Sequence, residues 1–158
     1  MEAIIVSACL LGDNVKYNGG NNFDPRIEEL LKYYDIIPIC PETFGGLRIP
    51  REPSELRHGE AFSKSGKNVT HQFDEGAHKI INIVNFKHVK KAVLMERSPS
   101  CGVHKIYNGK FEGKLIDGQG YTTQLLLQNG VEVYTIDEID KLLESKIKKN
   151  PSEEESEK

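Results

Sequence analysis

Ala3-Ile4-Ile5-Val6-Ser7-Ala8-Cys9-Leu10-Leu11-Gly12 opens the chain with a β-branched run that stops at a cysteine. Ala3–Ala8 shows almost no polar alternation, the pattern of a strand covered on both faces. Asp35–Ile39 repeats the arrangement and stops at Cys40. Between the two runs, Asp24 supplies an N-cap and Pro25 a first-turn proline, ahead of Ile27, Leu30 and Leu31 at helical spacing. The segment therefore predicts a β–α–β unit with a cysteine after each strand.

The pattern continues along the chain. From Cys40 to about Thr70 the sequence is rich in Pro, Gly, Arg and Glu, which predicts a long ordered loop with at most one short strand. Thr70 opens a helix striped by Phe73, Ala77, Ile80, Ile81 and Val84, with Glu75 near its N-terminal end. Lys91–Met95 is a third strand, followed by the constrained polar turn Glu96-Arg97-Ser98-Pro99-Ser100-Cys101-Gly102. Asn108-Gly109 suits the positive φ angles of a type I′ turn and predicts a small hairpin over Ile106–Phe111. Gly118–Gln128 reads as helix, Val131–Thr135 as a fourth strand and Ile136–Lys149 as a closing amphipathic helix.

Strands alternating with helices predict a single α/β domain over residues 1–149, a mainly parallel, Rossmann-like sheet flanked by helices. Residues 150–158 form an acidic tail that is not expected to fold. In such sheets ligands sit beyond the carboxyl ends of the strands, where all three cysteines are expected.

The 158 residues, 37% of them hydrophobic, suit one compact core rather than two domains. The formal charge is −3, and the tail supplies it through Glu153, Glu154, Glu155 and Glu157 against Lys158. The body is near neutral, so a dominant basic surface for nucleic acid is absent. No basic leader region precedes the first apolar run, and no stretch nears the ~20 residues that span a bilayer. These features predict a soluble, cytoplasmic protein.

Cys9, Cys40 and Cys101 are the only cysteines. An odd number at wide spacing, without Cys-x-x-Cys, argues against a disulfide framework and leaves reduced thiols or metal ligands. Taken singly, each is a small buried hydrophobe. Their joint placement after strands, in Ser7-Ala8-Cys9, Cys40-Pro41-Glu42 and Ser98-Pro99-Ser100-Cys101-Gly102, points to a shared metal site. In an iron–sulfur cluster, three thiolates leave one iron without a protein ligand, an arrangement that favours catalysis over structure. Zinc with three thiolates and a water is the competing metal.

Other motifs are weak. Gly118-Gln119-Gly120 is a fragment of a dinucleotide fingerprint, and no phosphate-binding Gly-x-x-x-x-Gly-Lys-Ser/Thr loop occurs. His71 and His78 fall on one solvated helix face, and only His104 lies near a cysteine. Tyr17-Asn18-Gly19-Gly20-Asn21 can present backbone N–H groups to an anion or serve as a plain turn. Arg48 and Arg51 can meet a phosphate or pair with Glu52 and Glu55.

Across most of its length the sequence resembles the thiouracil desulfidase family. The resemblance rests on Ser7-Ala8-Cys9-Leu10-Leu11-Gly12, Cys40-Pro41-Glu42 with Gly45-Gly46-Leu47 and Pro50-Arg51, Val69-Thr70 with Phe73 and Gly76-Ala77, and Arg97-Ser98-Pro99-Ser100-Cys101-Gly102. It implies a [4Fe–4S] cluster held by Cys9, Cys40 and Cys101, whose open iron takes up the sulfur of a thiolated uracil, and an oxygen-sensitive activity. Some relatives carry a further C-terminal domain, whereas this chain ends in a charged tail, so functions of that domain are not expected.

The implied chemistry suits the residues, because a soft thiocarbonyl sulfur prefers a vacant iron to an oxygen ligand. Attack by water on the ring carbon then needs a general base, for which Glu42 is the first candidate, although it can pair instead with Arg51 or Arg97. Ser98 and Ser100 are expected to orient the reacting groups, with Ser100 beside a ligand and supporting it. Ser7, Asn18, Gly19 and Arg51 are the expected substrate contacts. The expected partner is a small thiopyrimidine, as base, nucleoside or nucleotide, in preference to thiolated tRNA, for which a near-neutral body offers little. Two other readings stay open: a non-catalytic cluster- or zinc-binding module, and a nucleotide-binding module with merely buried cysteines.

Overall fold

The computed structural model describes residues 1–147. The end of the expected closing helix and the acidic tail at 150–158 lie outside the described residues. Strands β1 (Glu2–Ser7), β2 (Tyr34–Ile39), β5 (Lys91–Val93) and β8 (Glu132–Tyr134) form a parallel sheet in the order β2-β1-β5-β8. This is a single mixed α/β domain, as the sequence predicts. Among the described residues, no helix is long and apolar enough to cross a membrane.

The period of two along β1 distributes its side chains between two cores. Ile4 and Val6 face Ile27 and Leu30 of α1 (Ile27–Leu31) and Ile139, Leu142 and Leu143 of α5 (residues 139–147). Ile5 faces the other way, toward Ile80, Ile81 and Val84 of α3 (Thr70–Lys87) and Leu126 of α4 (Tyr121–Gln128). Helices on both faces explain why the first strand carries no polar alternation. The stripe expected on α3 is buried along its length, together with Gly76.

Three segments depart from expectation. The stretch from Cys40 to Thr70 holds a helical turn, α2 (Pro41–Phe44), and an antiparallel hairpin, β3 (Ser54–Arg57) with β4 (Glu60–Ser63), where one short strand at most was expected. Its core is Leu56, Ala61, Val69, Phe73 and Ile106, too dispersed in sequence to give a periodic signal. Asn108-Gly109 is not a two-residue hairpin turn. β6 (Lys105–Tyr107) pairs with β7 (Leu115–Asp117) across a seven-residue loop, because Gly109 and Phe111 turn their N–H groups to Glu55 rather than across the hairpin.

Helix α4 begins at Tyr121 rather than Gly118. Gly118 and Gly120 donate their N–H groups to His104 and Gly102, tying this segment to the Cys101 turn. A Cβ on Gly120 would lie 2.4 Å from the Ser100 carbonyl carbon, so this close approach requires glycine.

A candidate active site at the strand ends

The three strands that carry cysteines are neighbours in the sheet, and all run the same way. Cys9 sits in a 3₁₀ turn, Ala8–Leu11, directly after β1. Cys40 follows β2 and is the N-cap residue of α2, whose Pro41 occupies the first helical position. Cys101 lies in the turn after β5, and Met95 leaves that strand by donating its N–H to the Ser7 hydroxyl at 2.9 Å. All three cysteines are free, and all three line one cavity of about 510 Å³.

Burial pushes the Cys101 thiol well above its ordinary range, a hydrogen bond from Ser7 offsets part of this, and Cys9 and Cys40 nearby add to the rise. The Cys9 thiol is raised for the same leading reason, opposed by a hydrogen bond from Asn22. A cation bound in the cavity would offset the cost that burial places on the Cys9 and Cys101 thiolates. Among the described residues, no three His, Cys, Asp or Glu side chains gather closely enough to hold a single metal ion. The thiols border a shared space rather than converging on a point.

Glu42, on α2, also lines the cavity and has a partner for each oxygen. Arg51 donates from Nε to Oε1 at 3.2 Å, and the Ser100 hydroxyl donates to Oε2 at 2.8 Å. The Arg51 and Glu42 side chains are only 10% and 13% exposed, so this ion pair is shielded. Arg51 further donates to the backbone carbonyls of Arg48 and Val15, and its own N–H meets the carbonyl of Tyr17. It lines the cavity, but its guanidinium is engaged by the protein, bracing the segment from Val15 to Tyr17 against Glu42.

The turn carrying Cys101 is held by two side chains at its start. Ser98 Oγ accepts the N–H groups of Ser100 and Cys101 at 3.1 and 3.0 Å. Glu96 Oε1 accepts from Arg97, Val103, His104 and Lys105, which fastens both ends of the turn. Ser98 faces the cavity, whereas Ser100 is 1% exposed and lies behind it, reaching Glu42.

Of the remaining expected residues, Ser7 lines the cavity, whereas Asn18 and Gly19 do not. Asn18 turns its side chain back to the N–H of Gly20, and Gly19 takes a left-handed turn with φ 81°, so this segment is occupied with its own closure. His104 is also outside the cavity lining and meets Glu138 at 3.0 Å.

Asn22, Glu55, Glu96 and Phe111 line the cavity without having been expected there. Asn22 grips Cys9 twice, donating its N–H to the Cys9 carbonyl at 2.9 Å and Nδ2 to Sγ at 3.6 Å. Only its position one residue beyond the glycine-rich turn hinted at this. Glu96 opens the cysteine turn and was visible there, but its role depends on backbone geometry that no spacing encodes.

The chain as a whole is similar to known proteins in sequence and in fold. Residues 4–138 match the family described as 2-thiouracil desulfurase. A Bacillus subtilis (strain 168) protein, named only as uncharacterized protein YbbK, is 37% identical over 150 residues, covering 89% of this chain and 99% of its own. The solved structure of the [4Fe–4S]-dependent thiouracil desulfidase TudS superposes with a TM-score of 0.87 at 39% identity, across 92% of this chain and 97% of that one.

Proposed function

The chain belongs to the 2-thiouracil desulfurase family, and on that basis we propose that it replaces the sulfur of a thiolated uracil with oxygen, using a [4Fe–4S] cluster held by Cys9, Cys40 and Cys101. The observation that carries this reading is the delivery of three thiols by three adjacent strand ends to one cavity walled by a fixed carboxylate. The donor set suits such a cluster: thiolates are its usual ligands, and Cys9, Cys40 and Cys101, which border one cavity, would hold it. When bound, the cluster supplies one iron without a protein ligand, a soft Lewis acid matched to a thiocarbonyl sulfur.

The remaining chemistry belongs to this chain's own groups. The overall change is hydrolytic: water adds at the ring carbon, the carbon–sulfur bond breaks, and hydrogen sulfide and the oxo pyrimidine result without net oxidation. Glu42 takes a proton from the attacking water. Ser100 and Arg51 hold that carboxylate in place, so it need not reorganise as the proton arrives. Ser98 already accepts two backbone N–H groups, which leaves its hydroxyl proton to donate into the cavity toward the pyrimidine. Ser7, which accepts the Met95 N–H, supports the Cys101 sulfur.

The cavity suits a base, nucleoside or nucleotide, and Lys16, Lys64 and Arg97 in its lining offer cations to a phosphate. Anaerobic reconstitution with iron and sulfide, followed by incubation with 2- and 4-thiolated uracils and their nucleotides, tests the proposal. Expected results are about four irons per chain, loss of thiocarbonyl absorbance, and one sulfide released per oxo product. A protein that retains its cluster yet turns over none of these compounds refutes it.

A further inference from the structure

Glu55 is a buried carboxylate in the cavity wall with no part in the chemistry above. It lies on β3 and is 9% exposed. Its Oε1 accepts the N–H groups of Gly109 and Phe111, each at 3.0 Å. These residues belong to the loop between β6 and β7, which folds back onto β3. A Cβ on Gly109, where φ is 89°, would lie 2.5 Å from the Leu56 carbonyl oxygen.

The consequence falls on Phe111. Its φ is 54°, in the left-handed region that is costly for a bulky side chain and that persists only where surroundings enforce it. The enforcement is visible: Glu55 holds its N–H, and within the loop Asn108 binds the N–H of Lys110, the Glu112 carboxylate and the Lys114 carbonyl. Among the described residues, Phe111 joins none of the three apolar cores, so core packing does not account for this conformation. Phe111 instead lines the cavity that the three cysteines line. A phenyl group on the wall of that cavity, carried by a backbone that Glu55 holds, is the side chain suited to a flat heteroaromatic ring.

We propose that Phe111 is the stacking platform for the pyrimidine ring, and that Glu55, acting through the loop backbone, is its positioning residue. The assignment rests on the desulfidase reading, because it takes the ring from the proposed substrate. Stacking against a ring face does not distinguish C=S from C=O. The platform therefore stabilises substrate, transition state and product alike, and its loss raises KM while leaving kcat nearly unchanged.

The test uses the anaerobically reconstituted protein and two readouts: steady-state kinetics with a thiolated uracil nucleotide, and equilibrium binding of the corresponding oxo nucleotide, which needs no turnover. Phe111→Ala is expected to weaken both KM and product affinity by the same factor, roughly tenfold or more, at unchanged iron content. Phe111→Tyr should restore most of the affinity. Glu55→Ala should behave like Phe111→Ala, whereas Glu55→Gln, whose amide oxygen accepts the same two N–H groups, should stay near wild type. The double variant Glu55→Ala with Phe111→Ala should be no worse than Phe111→Ala alone.

Unchanged product affinity in Phe111→Ala overturns the platform, and additive losses in the double variant overturn the role of Glu55. Loss of iron on Glu55→Ala overturns it too, since that marks a folding role. A wild-type protein that keeps its cluster but neither binds nor converts the nucleotides defeats the desulfidase reading and this assignment together. A wild-type protein that turns over, beside an indifferent Phe111→Ala variant, defeats this assignment alone.

Discussion

Glu42 has both carboxylate oxygens committed before any substrate arrives, one to a guanidinium and one to a hydroxyl at 2.8 Å. The second contact is the more informative, because Ser100 is shut off from the cavity and acts only through Glu42. Ser100→Ala should lower kcat roughly tenfold, equivalent to about 1.4 kcal/mol and near the low end for a hydrogen bond to a charged group. Iron content should not change; an unaltered kcat would show that Glu42 does not depend on this anchor. Glu42, Ser98 and Ser100 could be singled out in the sequence because each lies within three residues of a cysteine at a strand end. Asn22 and Glu55 stayed hidden, since the first is defined by a sulfur 13 positions away and the second by amides 54 and 56 positions away. Arg51 was visible as a cation, but whether it served a ligand or a neighbouring acid depended on where α2 would put Glu42.

At the scale of elements, the position of Cys40 and Glu42 depends on how closely α2 lies against α3. A Cβ on Gly76 would stand 1.8 Å from the Pro41 carbonyl oxygen, and one on Gly45 would stand 1.8 Å from that of Gln72. Two glycines thus let the backbones touch, and the pairing explains why Gly76 lies on the buried stripe of α3. Gly76→Ala should force the elements apart and destabilise the fold by roughly 1–3 kcal/mol. Urea unfolding should show a lower midpoint, and reconstitution should show reduced iron uptake. A variant with wild-type values for both would refute this account. The helix α3 and the β–α–β unit were legible because 3.6-residue and unbroken apolar patterns are local signals. The β3–β4 hairpin was not, because its burial comes from α3 and β6 rather than from any alternation of its own.

For the molecule as a whole, the site ties together three stretches that are distant in sequence, after β1, β2 and β5. A cluster bound across them, as proposed, would stabilise the folded state, which brings the three thiols to one cavity, over the unfolded one. Anaerobic thermal unfolding should place the loaded protein roughly 5 °C or more above the metal-free protein, about 2 kcal/mol for a domain of this size. Replacing any one of the three cysteines by alanine should abolish the difference, and a loaded protein that melts with the metal-free one would argue against ligation by all three. The single parallel α/β domain was readable from strand and helix alternation, and the strand ends from the cysteines that follow them. Sheet order was not, because it is set by which strands pair at long range.

That order also bears on synthesis. The strand preceding Cys101 pairs with β1 through Ile5 and Ala92 and through Val6 and Val93. A ribosome therefore releases Cys9 and Cys40 well before their third companion, and the nascent chain exposes two thiols with no finished pocket. A cluster held by all three cysteines would accordingly be completed only once β5 has docked on β1, and not on the first β–α–β unit alone.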